Sequence, residues 1–538
     1  MSFITHVLAS YLTTISSLLK TLTTVATLYL LIFLLFPLTQ NYIRARRTGL
    51  RVIISPITPY NLTWRIASSS LRPILQHCTW YRVIDWTCCW QDASLASTSA
   101  EKEVLVVSPG LILLCTRDEK TIEGVLRKWR EFEKPEWVND ILGTFGRNVD
   151  TSNGDDWTRH RKIIAPCFNE RASARVWIEA LAQTDRLVKS WLDSKSGAIV
   201  EGMSTLALNV ISAVAFENHN VNEPTAGHTM SLKEALTTVM STYISPMVEG
   251  FMHNPLVRIC LPPRIRRLLR AMSEFSQYMD DLVTRERAQS QKHSAAPRNL
   301  IQTLIHANAA VDQAGKPQLS DSELRGNVFL FTIGGLESTS ATLTYALALL
   351  AVNPEVQEWV YEEIDGLTDL SDDYGKVFPR LGRVRAVMFE TLRLFAPSPP
   401  LPRTYYNPSL PCDIPTSTGS GILTLPPKTQ IILNSWPVHH IYSSLSPATS
   451  PPSTEWNPKL WLSNAAPEKF FPWGFGPRVC PGMKFSQVEF CAVLVGVFGR
   501  VRIKAGREEV QRVLAGSVAD PLLLHVREEI RVSVEERD

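Results

Sequence analysis

Charge of one sign is what this chain has least of. Lysine and arginine total 55 against 52 aspartates and glutamates, for a formal net charge of +3, and the two signs are interspersed. No concentrated basic stripe is present to follow a phosphate backbone, so nucleic acid is not expected as a partner. Cysteine pairs at metal-site spacing are missing too. The nine present, Cys78, Cys88, Cys89, Cys115, Cys167, Cys260, Cys412, Cys480 and Cys491, lack the short paired spacings of zinc sites. Their odd number and scatter imply a reducing compartment, and each taken singly reads as a small buried apolar side chain. Internal repeats are absent, and no boundary after about residue 50 splits the chain into independent units. With 45% hydrophobic and 20% charged residues, the composition permits a sizeable core and gives no sign of disorder.

Between Phe3 and Leu38 the one formal charge is Lys20, and Leu22 to Leu38 is almost purely Leu, Ile, Phe, Val and Thr. A run of that length can cross a bilayer, which takes about 17 to 25 apolar residues. Arg44, Arg46, Arg47 and Arg51 follow at once, and such clusters stay on the cytoplasmic side. Leu38 to Tyr42 offers no small-x-small cleavage site. The expectation is an anchor over residues 1–43, with the span at about 22–38, and one cytosolic domain over 44–538. Residues 3–19 leave open a second, interfacial segment.

Glu103 to Cys115 has strand character, and helical patterns dominate after it. Gln289–Asn299 reads as a loop between helices, Gln313–Pro317 as a turn, and the Ser/Pro-rich stretch Ser443–Thr454 as an exposed loop. Ser320-Asp321-Ser322-Glu323 has the form of a capping box, and the pattern after it predicts a helix of more than thirty residues ending at Asn353-Pro354. Between Arg325 and Glu355 its one charged residue is Glu337, so this helix should be buried on all sides. A buried carboxylate and the pair Gly334-Gly335 both oppose stability, each glycine by roughly 1 kcal/mol relative to alanine. One explanation is a close helix crossing over the glycines with Glu337 salt-bridged. The other is a local opening of the helix that admits a small ligand, with Glu337 and Ser338 passing protons toward it.

The most specific signal is Phe471-Pro472-Trp473-Gly474-Phe475-Gly476-Pro477-Arg478-Val479-Cys480-Pro481-Gly482, followed by an amphipathic run from Met483 to Phe498. Glycines and proline shape a tight loop that ends at a cysteine near a helix start, where backbone N–H groups and the helix dipole favour a thiolate. Such a sulfur can ligate a soft metal or haem iron. Arg478 supplies a cation suited to a carboxylate.

This loop resembles that of the cytochrome P450 family, with Trp473 where Phe is usual. Three further stretches match in order. Glu390-Thr391-Leu392-Arg393 resembles the family's Glu-x-x-Arg motif, whose spacing puts both charges on one helix face. Gly334 to Thr339 resembles the oxygen-activation motif, with Ser338 where Thr is usual, and Trp157 to Arg161 the Trp-x-x-x-Arg motif that holds a haem propionate. Trp456 to Trp461 resembles the meander less well: Leu460 stands where an arginine usually completes a triad with the Glu-x-x-Arg pair, leaving Lys459 as a candidate substitute.

The resemblance implies a mainly α fold with small β-sheets, preceded by a transmembrane helix, and a single haem b whose iron Cys480 ligates. It implies cofactor contacts from Trp157, Arg161, Arg403, Phe475, Arg478 and Gly482, proton handling by Glu337, Ser338 and Thr339, and a structural pair in Glu390 and Arg393. The chain ends about 58 residues after Cys480, too few for a flavin domain. Electrons are therefore expected from NADPH through a separate flavoprotein reductase, with Arg478 and Lys484 near the docking face. The implied activity is monooxygenation of a hydrophobic small molecule of secondary metabolism (a terpenoid, polyketide or alkaloid) at the endoplasmic reticulum membrane. Tyr243 to Pro262 is the expected apolar substrate region, and Phe251 to Leu261 a second lipid contact. A reductase-independent isomerase or dehydratase and a non-catalytic haem sensor are the alternatives.

Overall fold

A six-stranded sheet lies against the end of the N-terminal helix in the computed structural model. The structure describes residues 16–537 except 19, 22, 26, 95–100, 218–220, 222, 242–260, 293–298, 314–317, 368–373, 399, 441–454, 463–468 and 521–522. All of Phe251 to Leu261 but its last residue, nearly all of Tyr243–Pro262, Ser443–Thr454 and most of Gln313–Pro317 therefore lie outside the described residues, as do residues 1–15.

The apolar helix spans Ser16–Arg46, longer than the 22–38 core read from hydropathy, and its side chains at Leu28, Leu31, Ile32, Phe33 and Leu35 are exposed. Its last part, α1 (Phe36–Arg46), is not a free stalk. Ala45 is fully buried, and Asn41 Nδ2 donates to the carbonyls of Ser108 and Pro109 at 3.0 and 3.3 Å. The sheet beside it comprises β1 (Arg51–Ile54), β2 (Glu103–Val107), β3 (Ile112–Thr116), β4 (Phe132–Glu133), β6 (Leu401–Tyr405) and β9 (Thr429–Leu433), in the order β1-β2-β3-β9-β6-β4. The Glu103–Cys115 stretch is thus a hairpin, with Leu105 opposite Leu114. Smaller sheets pair β7 (Cys412–Pro415) with β8 (Ile422–Leu425), and β11 (Val518–Ala519) with β12 (Leu524–His525). A third joins β5 (Ser196–Ala198), β13 (Arg531–Glu536) and β10 (Val501–Lys504).

Helices form the rest of the core. The ones that place the site are α2 (Gly154–Ile164), α3 (Glu170–Ser194), α4 (Ile199–Phe216), α5 (Pro263–Lys292), α6 (Leu300–Gln313), α7 (Asp321–Ala351), α8 (Gly382–Leu394) and α9 (Met483–Phe498). The Gln289–Asn299 stretch departs from expectation at its start, because α5 continues helically to Lys292.

The central helix α7 starts where the sequence places it. Ser320 Oγ accepts from Glu323 N, and the Glu323 carboxylate accepts from Ser320 N at 2.8 Å, satisfying two otherwise unpaired N-terminal donors. Arg159 and His160 of α2 bind the same carboxylate at 2.6 and 3.2 Å, fixing α2 against the helix start. The helix is α-helical throughout its 31 residues, so it does not open locally at the glycines. A Cβ on Gly335 would lie 3.0 Å from Ile211 of α4, the close crossing that one explanation required. Gly334 is different: a Cβ there would meet nothing within 4 Å. The salt bridge of that explanation does not form, since among the described residues no ion pair engages Glu337.

Candidate active site

Gly334 looks onto a cavity of about 360 Å³ walled by α2, α7, the start of β6 and the cysteine loop. Cys480 is exposed, and the space it is exposed to is this cavity. The loop is held from several sides. Cys480 N donates to Trp473 O at 2.9 Å, and Gly474 N to Phe471 O at 2.8 Å. Gly476 has φ +70, and a Cβ there would sit 3.0 Å from the Leu126 carbonyl, so both conformation and space require glycine. The Trp473 indole donates to Ser486 Oγ of α9 at 3.1 Å, a contact that phenylalanine could not make.

Burial pushes the Cys480 thiol up, opposed by a hydrogen bond from the Gly482 backbone and by the charge of Arg161. The Gly482 amide and the Arg161 charge act in the direction expected of a helix start, toward the thiolate, and desolvation acts against them.

Cations crowd the same cavity. Arg161, Arg403, Arg478 and Lys134 all line it, with Asp150 as the acidic member. Arg478 donates through Nη2 to Ser152 O at 2.6 Å and to Asn153 Oδ1 at 3.2 Å, and its guanidinium lies 5.0 Å from the centre of the Trp157 ring. Its Nε and Nη1 are buried with no hydrogen-bond partner among the described residues. Burial lowers Arg478 to about 10, and burial together with the neighbouring Arg478 charge lowers Arg403 to about 10. Lys134, lowered to about 8 by burial, pairs with Asp150. That pair was missed in the sequence, because Lys134 and Asp150 are 16 residues apart and belong to no motif.

This chemistry fits a haem. Buried guanidinium donors without acceptors, beside a second arginine and a lysine, require an anion such as a propionate. Arg403, Arg478 and Arg161 would hold the propionate side, Trp157, Phe475 and Gly482 would pack the macrocycle, and Cys480 would meet the iron. Arg478 is therefore not a docking residue: its guanidinium points into the cavity and onto Ser152 and Asn153. Lys484, the other expected docking cation, is ion-paired with Glu170.

The three α7 residues separate. Ser338 and Thr339 line the cavity, and Glu337 is not among its lining residues. Ser338 Oγ donates to Gly334 O at 2.6 Å, whereas Thr339 Oγ1 is buried with no partner among the described residues. Glu337 is half-buried and pushed up to about 7, by burial and then by the charge of Asp520. It can therefore gain and lose a proton near neutral pH.

Glu390 and Arg393 do not touch the cavity, although Met388 and Leu392 of the same helix do. Their fork is bidentate, with Nε to Oε2 and Nη2 to Oε1 both at 2.8 Å, and both side chains are buried. Arg393 reaches on to the carbonyls of His439 and Glu455 at 3.2 and 3.0 Å, tying α8 to the segment that leads into the cysteine loop.

A mainly helical fold with a loop cysteine under a cation-rich cavity defines the class of haem-thiolate proteins. A sequence model described as "Cytochrome P450" matches residues 113–524. The chain belongs to the cytochrome P450 family, and is accordingly a monooxygenase-type oxidoreductase with haem b as its implied cofactor. It is 26% identical to the "Phomenoic acid biosynthesis cluster cytochrome P450 monooxygenase" of Leptosphaeria maculans, covering 90% of this chain and 93% of that one. It is 25% identical to the "Cyclooctat-9-en-7-ol 5-monooxygenase" of Streptomyces melanosporofaciens, over 76% of this chain and 84% of that one. The crystal structure of the cytochrome P450DA heme domain superposes with a TM-score of 0.68 at 19% identity, over 91% of this chain and 99% of that chain.

Proposed function

We propose that this protein transfers one oxygen atom from O2 to a hydrophobic small molecule of secondary metabolism, a terpenoid, polyketide or alkaloid, and that Cys480 would hold the haem iron. One observation carries the reading: Cys480, the cations and the hydroxyl-bearing face of α7 share one cavity. Bound haem would supply O2 activation, with electron donation from the thiolate assisting O–O cleavage. The residues supply the remainder. Arg161, Arg403 and Arg478 orient the group, and the apolar walls from Ile211, Phe331, Leu330 and Leu523 admit a hydrophobic substrate and keep out water. Ser338 and Thr339 hold hydroxyls at the cavity wall, and Glu337 replenishes their protons. The names of the Leptosphaeria and Streptomyces relatives, which concern phomenoic acid and a cyclooctatenol, support a secondary metabolite as substrate.

Residues 1–43 act as a single anchor in the endoplasmic reticulum membrane, and 44–538 as one catalytic domain on the cytosolic side. There it meets the NADPH-dependent flavoprotein reductase that supplies electrons. The apolar helix Ser16–Arg46 with its basic end supports this placement.

The test couples the protein to such a reductase and measures product and peroxide together over candidate scaffolds. Ser338→Ala should raise peroxide at the expense of product, and Ser338→Thr should keep activity. If Ser338→Ala and Glu337→Gln both match the parent in rate and coupling, the α7 residues do not handle the protons.

A further inference from the structure

Asn153 stands at the N-cap of α2, a position from which asparagine ordinarily binds a backbone N–H of the first helical turn. Here the side chain makes no such bond. The chain enters α2 through Gly154 at φ +53, and the Asn153 amide engages two other segments. Its Oδ1 accepts from Lys134 N at 3.0 Å and its Nδ2 donates to Lys134 O at 2.9 Å, so it pairs with both backbone groups of a residue just past β4. The same Oδ1 accepts from Arg478 Nη2 at 3.2 Å. Residues 134, 153 and 478 thus meet on one amide. Its orientation is fixed, because a flip would set donor against donor and acceptor against acceptor at Lys134.

Arg478 shows what this junction does. Its Nη2 has two N–H bonds, and Ser152 O at 2.6 Å and Asn153 Oδ1 at 3.2 Å accept them. That nitrogen is therefore committed to the protein. Nε and Nη1 remain buried with no hydrogen-bond partner among the described residues, on a side chain that lines the same cavity as Cys480. The Trp157 ring, 5.0 Å from the guanidinium, bounds it on another side. A long side chain held in this way before its ligand arrives loses less freedom on binding.

We propose that Asn153 is a positioning residue for the haem: braced by the Lys134 backbone, it fixes Arg478 so that Nε and Nη1 are left to meet a propionate. The inference rests on the reading of this cavity as the haem site. It assigns the asparagine a role that helix capping does not explain, since the capping bond is not made.

The experiment uses full-length, haem-loaded protein. Asn153→Ala is compared with Asn153→Ser, because serine caps helices about as well as asparagine but is too short to join Lys134 to Arg478. Haem loss to an excess of apomyoglobin should be roughly threefold or more faster in both variants. The propionate bending band in the resonance Raman spectrum of the ferric protein should move in both as well. In an Arg478→Met background, where haem is already lost faster, adding Asn153→Ala should change the rate by less than about twofold, because the group it positions is gone. A parental rate and band in Asn153→Ala overturns the proposal. Parental behaviour in Asn153→Ser does so too, by making the residue a helix cap, as does an undiminished effect of Asn153→Ala in Arg478→Met. None of these readouts needs substrate or reductase, so each can fail while the oxygenation reading stands. A parent protein that shows no thiolate-type carbon-monoxide band would remove the haem site, and this inference with it.

Discussion

The indole of Trp461 donates its Nε1–H to Glu390 Oε2 at 3.0 Å, on the oxygen that also accepts Arg393 Nε at 2.8 Å. The other oxygen takes Arg393 Nη2 and the backbone N–H of Asn457, each at 2.8 Å. Four donors therefore surround a fully buried carboxylate, and the place of the meander arginine is filled by an indole and a backbone amide. Lys459 is not the substitute: it is exposed, with its ammonium 5.9 Å from the centre of the Trp359 ring.

This arrangement predicts an asymmetry. Trp461→Phe leaves a buried carboxylate one donor short and should lower unfolding stability by about 1–3 kcal/mol, whereas Lys459→Ala should stay within about 0.5 kcal/mol of the parent. Urea unfolding of both variants checks this. Equal effects from the two would mean that the indole bond carries no weight.

Glu489 on α9 gives a prediction in pH. It is fully buried, neither carboxyl oxygen has a hydrogen-bond partner among the described residues, and burial raises it well above its ordinary value. The folded protein therefore keeps this group protonated after the unfolded chain has begun to ionise it at about pH 4.3. Its contribution to stability is complete below that pH and declines as pH rises toward the folded value. Glu489→Gln has no proton to lose, so its melting temperature relative to the parent should climb between about pH 5 and pH 8. A constant offset across that range would contradict the assignment.

The anchor makes a different prediction. Removing residues 1–34 keeps α1, with the Asn41 bonds and buried Ala45, and should release protein from membranes with its melting temperature intact. Removing residues 1–46 takes α1 away, uncovers one edge of the sheet and should lower the melting temperature. Equal melting temperatures would show that α1 contributes nothing to the folded domain.

Much of this site is legible in the sequence because its strongest signals are local. The loop around Cys480 needs glycine at Gly476 for both conformation and space, and the capping box from Ser320 to Glu323 is a four-residue device; each is visible without knowing the fold. Trp157, Arg161 and Arg403 were legible through resemblance, which stands in for the long-range geometry that joins them. Contacts made across the chain were not legible. Lys134 with Asp150 and Trp461 with Glu390 depend on tertiary packing that no spacing rule encodes. The status of Glu337 illustrates the limit: the sequence shows a lone acid in an apolar helix, and only the structure shows that it is not among the residues lining the cavity, as Ser338 and Thr339 are.

The central claim is that Cys480 is the haem ligand, and the reduced, carbon-monoxide-bound absorption spectrum tests it most directly. Cys480 opens onto the cation-rich cavity, whereas Cys491 is fully buried within α9. The account predicts that Cys480→Ala abolishes the band characteristic of thiolate-ligated haem and that Cys491→Ala leaves it unchanged. Persistence of the band in Cys480→Ala would contradict the account, because another side chain would then hold the iron.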